Sequence, residues 1–202
     1  MAVNTKIYDQ KFFNNTLKFE GSSAKAFVNI LIKHFSPKSV VDIGCGIGVY
    51  LSEFKANNKE ILGFDGSPAA ITGSLVKGKI KLHDLCQPLK LNRQFDLCLC
   101  LEVAEHLRPE CARTLIDTLT GLSKTIIFTA ATPGQGPKSI GHINEQPPEY
   151  WQKLFEQKNF ILNGKLTETI KQKMIDKKIV WWLSKNLMIF QSCHCERPKE
   201  VK

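Results

Sequence analysis

The chain has 202 residues, 43% hydrophobic and 23% charged, with 28 Lys and Arg against 19 Asp and Glu for a net charge of +9. That composition is one of a globular protein with a sizeable core, and it excludes a disordered chain, a collagen-like repeat and a polytopic membrane protein. The basic excess would suit an acidic partner such as RNA, a phosphorylated glycan or an anionic membrane, although solvated surface lysines give the same sum.

Taken in chain order, Ser22-Ser23 caps a helix whose apolar positions Ala26, Phe27, Ile30, Leu31 and Phe35 follow helical spacing, and Pro37 stops it. Residues 39–43 form a short β-branched run ended by glycines, which reads as a buried strand, and residues 49–54 as the helix behind it. The alternation repeats: strand 60–64 ends at Asp65, strand 79–83 at Asp84, and strand 95–101 at Glu102. Pro109 opens a helix with Ala112, Leu115, Ile116 and Leu119 on one face, closed by Gly121. Strand 125–129 follows, then a helix after Pro147-Pro148 with Trp151, Leu154 and Phe155 on one side. Two last runs, 160–166 and 179–190, read as strands with a turn near Ser184-Lys185-Asn186.

Strands alternating with helices predict an α/β fold: a Rossmann-like doubly wound sheet of seven strands, mostly parallel, with an antiparallel C-terminal edge hairpin. With neither repeat nor linker in view, residues 1–202 are expected to form one domain. Seven cysteines, at 45, 86, 98, 100, 111, 193 and 195, are odd in number, and several sit in apolar runs such as Leu97-Cys98-Leu99-Cys100. They read as small buried hydrophobes kept reduced. Cys193-His194-Cys195 lacks a second pair at zinc spacing and reads as tail. The N-terminus shows no signal-peptide h-region and no uncharged apolar run reaches the ~18 residues of a spanning helix, so a cytoplasmic location is expected.

The strongest motif is Val41-Asp42-Ile43-Gly44-Cys45-Gly46-Ile47-Gly48. Its spacing is G-x-G-x-G rather than the G-x-G-x-x-G of dinucleotide sites, and Asp42 stands where it would repel a pyrophosphate. Asp42, Asp65, Asp84 and Glu102 end four successive strands, and in a doubly wound sheet those ends share one rim. Such a rim calls for a ligand bearing cations and hydroxyls, as S-adenosylmethionine does with its ammonium, sulfonium and ribose diol.

On these residues, together with Gly63-Phe64-Asp65-Gly66-Ser67, His83-Asp84-Leu85 and Glu102-Val103-Ala104-Glu105-His106-Leu107, the chain resembles the class I S-adenosylmethionine-dependent methyltransferases from about residue 8 to residue 190. The resemblance implies that the loop of Gly44, Cys45, Gly46 and Gly48 contacts the methionine part, with Asp42 near the ammonium. Asp65 would take the ribose hydroxyls, beside Gly66 and Ser67. Asp84 would face the adenine amino group with Leu85, Glu102 and Val103 would close the methionine end, and Tyr8 would cover the cofactor. Residues 1–36 become an N-terminal helical cap, 38–130 the cofactor-binding half, 131–190 the substrate-side half with the edge hairpin, and 191–202 a tail.

For the chemistry, His106 and His142 are the candidate catalytic residues. Glu102, Glu105 and His106 fall at i, i+3 and i+4, on one face of a helical turn. With His142 they resemble the metal site of small-RNA 3′-terminal 2′-O-methyltransferases and ubiquinone-biosynthesis O-methyltransferases, which implies Mg or Mn there, though the same string occurs in metal-free relatives. The long Gly/Pro-rich segment from Thr132, carrying His142, Asn144 and Glu145, is expected to act as a lid on the acceptor. The basic aromatic stretch 177–190 reads as the edge hairpin ahead of an RNA-stacking or membrane-interfacial surface. The expected activity is methyl transfer to a small molecule or glycan, on oxygen, with nucleic acid the less favoured acceptor. The rivals are a metal-assisted RNA 2′-O-methyltransferase, a non-catalytic S-adenosylmethionine-binding scaffold and, distantly, a dinucleotide oxidoreductase.

Overall fold

Every residue of β1 (Ser39–Ile43) is buried, because the strand lies inside a seven-stranded sheet of order β3-β2-β1-β4-β5-β7-β6. The computed structural model describes residues 7–135 and 141–193. The other strands are β2 (Glu60–Asp65), β3 (Ile80–Leu82), β4 (Leu97–Leu101), β5 (Thr125–Thr129), β6 (Phe160–Leu162) and β7 (Met188–Ser192). The first five pair in parallel; β7 runs antiparallel to β5, and β6 antiparallel to β7. Asp42 stands level with Gly63 on one side and Leu99 on the other, so the glycine loop after β1 emerges between the ends of β2 and β4.

Alternate strand residues feed two core layers, as the two-residue period of a strand requires. Val40, Leu97, Leu99, Ile127 and Ile189 face α1 (Gln10–Phe35), α2 (Val49–Ala56) and α6 (Gly164–Asp176), where Phe27, Leu31, Leu51, Phe54, Ile170 and Met174 meet them. Val41, Ile43, Cys98, Cys100, Phe128 and Phe190 face α4 (Ala112–Leu122) and α5 (Pro148–Glu156) through Leu115, Leu119, Trp151 and Phe155. The Phe155 and Phe190 rings stack at 3.8 Å. Cys45, Cys98 and Cys100 are buried free thiols, as small apolar residues should be.

Several expectations are corrected. The first helix begins at Gln10, capped by Asp9, whose carboxylate accepts from the Phe12 N–H at 2.8 Å; Ser22 and Ser23 lie inside it. Ser23 instead accepts from the Val180 N–H across 157 residues, a contact invisible to local reading. Cys86 and Cys111 form a disulfide, bringing together two positions that share no local pattern. The helix after Pro109 starts with a 3₁₀ turn, Pro109–Cys111, and α4 continues through Gly121 to Leu122. The antiparallel pair at the C-terminal edge is present, but no tight turn joins it. The strand expected at 160–166 stops at Leu162, and α6 follows, capped by Asn163, which accepts from Leu166 N–H at 3.0 Å. Residues 181–186, read as strand and turn, form the short helix α7 (Trp181–Asn186) leading into β7. Leu166, Ile170 and Met174 had the helical spacing for α6; the strongly apolar stretch beyond them obscured it. A short α3 (Pro68–Thr72) is capped by Ser67. Of the expected tail, His194 and Cys195 lie outside the described residues, as do Gly136 and Pro137 of the long loop.

Candidate functional site

A cavity of about 610 Å³ opens at the C-terminal ends of β1, β2 and β4, roofed by α1 and α7. Its floor is the glycine loop, whose backbone conformation admits little else: Gly44 has φ +80 and a Cβ there would run into the Val103 side chain, while Gly46 has φ +52 and a Cβ would lie 3.0 Å from Phe13. Asp65 at the end of β2 accepts from Gly46 N–H and from Ser67 N–H, both at 2.8 Å, tying the loop to the neighbouring strand.

Among the described residues four carboxylates line the cavity, Glu20, Asp42, Asp65 and Glu102, and no lysine or arginine joins them, although the chain is basic. The electrostatic result is uniform. Burial, with Asp65 and Glu20 nearby, pushes the Asp42 carboxyl up to about 8. Burial raises Glu102 to about 7, against the pull of Asn186 and Thr129. Asp65 and Glu20 are also raised, chiefly by burial. Glu102 sits at φ 53, rare for a side-chain-bearing residue, where strain marks function more often than chance.

The roof is held by side chains. Tyr50 donates to Glu20 at 2.9 Å, the Trp182 side chain hydrogen-bonds to the same carboxylate, and Asn186 donates to Glu102 at 3.1 Å. Trp181 and Phe19 stay largely exposed at the mouth. Sequence reasoning passed over Glu20, Tyr50 and Asn186. Glu20 did carry a signal: it falls seven residues from both Phe13 and Phe27, an acid on an otherwise apolar stripe.

Of the residues named from sequence, Tyr8, Asp42, Gly44, Cys45, Gly46, Asp65, Gly66, Leu85, Glu102, Val103, His106 and His142 are brought together around this cavity. Gly48, Ser67 and Asp84 lie outside its wall. Gly48 precedes α2, Ser67 is 1% exposed and caps α3 while donating to the Tyr8 carbonyl, and Asp84 accepts from the Cys86 N–H at 3.0 Å. Asn144, expected to reach the acceptor, is buried and holds the Ala104 carbonyl.

His106 and His142 meet edge to face with ring centroids 4.7 Å apart. Ile143 and Asn144 N–H groups both donate to the Glu105 carbonyl, which fixes the long loop beside the turn that carries His106. The Tyr8 hydroxyl lies 2.7 Å from His106 Nδ1, and His142 Nδ1 lies 2.7 Å from Glu145 Oε1. Burial, then His142, lowers His106 to about 4, so its ring is neutral; burial and Glu105 push Tyr8 up to about 12.

Glu105, His106 and His142 each offer one potential metal-ligand atom within 4.8 Å of the others. The donor set does not fit a divalent ion. Glu105 has no exposed surface, burial and Glu102 beside it push its carboxyl well up and so disfavour the ionised form, one of its oxygens already accepts from Ala131 N–H, and Glu102 is taken by Asn186. Divalent ions require an ionised carboxylate.

A family model described as a methyltransferase domain matches residues 19–162. Among solved structures, a SAM dependent methyltransferase from Archaeoglobus fulgidus superposes with a TM-score of 0.64 at 20% identity, over 90% of this chain and 99% of that one. The plantazolicin methyltransferase BpumL, in complex with SAH, gives 0.57 at 16% identity, covering 89% and 86%. An O-methyltransferase from a trans-AT PKS multienzyme of Brevibacillus brevis, also with S-adenosyl-L-homocysteine, gives 0.58 at 12%, covering 83% and 70%. At these identities the likeness is one of fold. No curated protein matches the chain.

Proposed function

The chain belongs to the class I S-adenosylmethionine-dependent methyltransferases, its methyltransferase-domain match spanning residues 19–162, and on that premise we propose that it methylates an oxygen of a small, uncharged, hydroxylated acceptor such as a sugar. When bound, S-adenosylmethionine supplies an electrophilic methyl group on a sulfonium. Residues 38–130 would hold it and residues 131–190 would form the acceptor side, within one domain. The fit rests on residues of this chain. The glycine loop leaves the open floor that a ligand needs, Asp42, Glu20 and Glu102 offer carboxyls whose ionised form a bound ammonium or sulfonium would favour, and Asp65 retains lone pairs for ribose hydroxyls. Leu85 gives an apolar wall for the adenine.

The observation that carries the acceptor reading is the lining itself: carboxylates and aromatic rings, with no lysine or arginine among the described residues that form it. Neutralising phosphates is what gives proteins their affinity for RNA, so this cavity disfavours a nucleic acid strand despite the net charge of +9. Hydroxyl groups, in contrast, donate well to carboxylates, and the exposed faces of Trp181 and Phe19 at the mouth suit an apolar ring face. The imidazoles of His106 and His142 stand at the same wall, within reach of a hydroxyl proton. No described helix is long and apolar enough to cross a membrane, and a cytoplasmic location is part of this proposal.

Calorimetric titration with S-adenosylhomocysteine tests the first half of the reading; micromolar binding is expected, unchanged by EDTA. Assay of labelled methyl transfer to a panel of neutral saccharides and to an RNA oligonucleotide tests the second. Transfer to RNA alone would reverse the acceptor assignment, and binding of S-adenosylhomocysteine with no transfer to any acceptor would favour the scaffold reading.

A further inference from the structure

The two imidazoles on the cavity wall are not equivalent, and their hydrogen bonds separate their roles. Glu145 uses both carboxylate oxygens as acceptors: Oε2 takes the Gly134 N–H at 3.0 Å and Oε1 lies 2.7 Å from His142 Nδ1. A carboxylate only accepts, so the proton of His142 resides on Nδ1 and the lone pair on Nε2. His106 is arranged the other way round. Its Nδ1 meets the Tyr8 hydroxyl at 2.7 Å, and with that hydroxyl donating, the His106 proton sits on Nε2. The carbonyl of Gly141 takes a further hydrogen bond from the His106 ring. Of the pair, His142 is therefore the one whose lone pair has no partner among the described residues, and its side chain is 12% exposed on the cavity wall.

We propose that His142 is the general base of the methyl transfer, and that Glu145, which is not part of the cavity wall, is the positioning residue that fixes its tautomer and orientation; His106, locked by Tyr8, is not the base. This rests on the reading of the cavity as a methyltransferase site. In the step so assigned, the acceptor oxygen forms a bond to the methyl carbon as the carbon–sulfur bond breaks. That bond's electron pair stays on sulfur, leaving a neutral thioether, and the hydroxyl proton passes to His142 Nε2. The imidazolium so formed faces the Glu145 carboxylate through Nδ1–H, so the positive charge lost at sulfur reappears where an anion already stands. Glu145 also accepts from Gly134 N–H, so one carboxylate both orients the base and holds the described start of the loop.

The test needs no knowledge of the acceptor. Two-bond proton–nitrogen correlation spectra of the imidazoles read each tautomer directly. The wild-type chain is expected to show the Nδ1–H form at His142 and the Nε2–H form at His106. Glu145→Gln, whose amide oxygen still accepts, should keep the His142 tautomer, whereas Glu145→Ala should release it. Diethyl pyrocarbonate, mapped by peptide, should acylate His142 in the wild type and spare His106, with His142 reacting several-fold more slowly in Glu145→Ala and also slowed in Glu145→Gln. If Glu145→Ala does not fold, the Gln variant alone carries the comparison through its retained tautomer and lowered reactivity. An Nε2–H form at wild-type His142, preferential acylation of His106, or stoichiometric manganese binding that perturbs His142 Nε2 would each overturn the assignment. Failure of wild-type S-adenosylhomocysteine binding with this tautomer pattern intact would instead remove the methyltransferase reading and leave the His142–Glu145 pair standing.

Discussion

At the β1–β2 end of the cavity, backbone holds the functional groups: Asp65 is fixed by the N–H groups of Gly46 and Ser67, and the glycine loop by conformations its neighbours force. At the α7 end, side chains hold side chains across long stretches of sequence: Tyr8 to His106 over 98 residues, Asn186 to Glu102 over 84, Tyr50 to Glu20 over 30. The difference separates two kinds of precision. The first end is built into strand ends that cannot move without breaking the sheet, whereas the second depends on separate elements staying docked. Substitutions at the second end can therefore loosen its contacts while the first keeps its shape.

The Cys86–Cys111 disulfide crosses that divide, joining the loop that carries Leu85 to the segment that follows His106. Replacing Cys86 by Ser is expected to have the largest effect, about 3 kcal/mol by loop-closure entropy for a separation of 25 residues, read from the denaturation midpoint with and without reductant. An unchanged midpoint would mean that the two ends are independent. Gly44→Ala comes next. It forces a side chain against Val103 at positive φ, so a loss of about 1–3 kcal/mol in stability is expected, with S-adenosylhomocysteine affinity falling alongside. Affinity untouched by that substitution would detach the glycine loop from the cofactor.

The acids sharpen the comparison through pH. Asp42 is raised from an ordinary 3.8 to about 8, so the folded chain binds more protons than the unfolded one between those values. This contribution to stability is fully present below about pH 4 and is lost as pH rises through 8. One proton sets its slope at no more than about 1.4 kcal/mol per pH unit. A bound ammonium favours the ionised form, so the thermal shift produced by S-adenosylhomocysteine should grow from pH 6 to 8. A shift that shrinks would place the ammonium elsewhere. Smallest is Tyr8→Phe, which removes one hydrogen bond to His106 at a cost of about 1 kcal/mol and should leave the His142 tautomer as it was.

How much was legible follows the same division. Strands β1, β2 and β5 were readable because a buried parallel strand is a short apolar run whatever surrounds it, and of the four acids at strand ends Asp42, Asp65 and Glu102 share the rim while Asp84 stands off it. Residues 181–186 were not: a stretch as apolar as Trp181-Trp182-Leu183 is compatible with strand or helix. The choice falls to long-range bonds, Trp182 to Glu20 and Asn186 to Glu102, that no local window contains. The disulfide escaped for the same reason, since two cysteines 25 residues apart are paired by a Cα separation of 4.8 Å rather than by spacing.

What the sequence by itself determined is the alternating α/β order, the glycine loop and the ring of acids, since strand period, glycine conformation and chain order are local properties. What only the tertiary structure decided is the roof of the cavity: α1 and α7 close over the strand ends, Glu20 and Asn186 join the site, and His142 is set apart in its hydrogen bonding from His106 by the carboxylate of Glu145. Those partners are distant in the chain or reached through a loop, so burial and hydrogen-bond completion, rather than local propensity, select them.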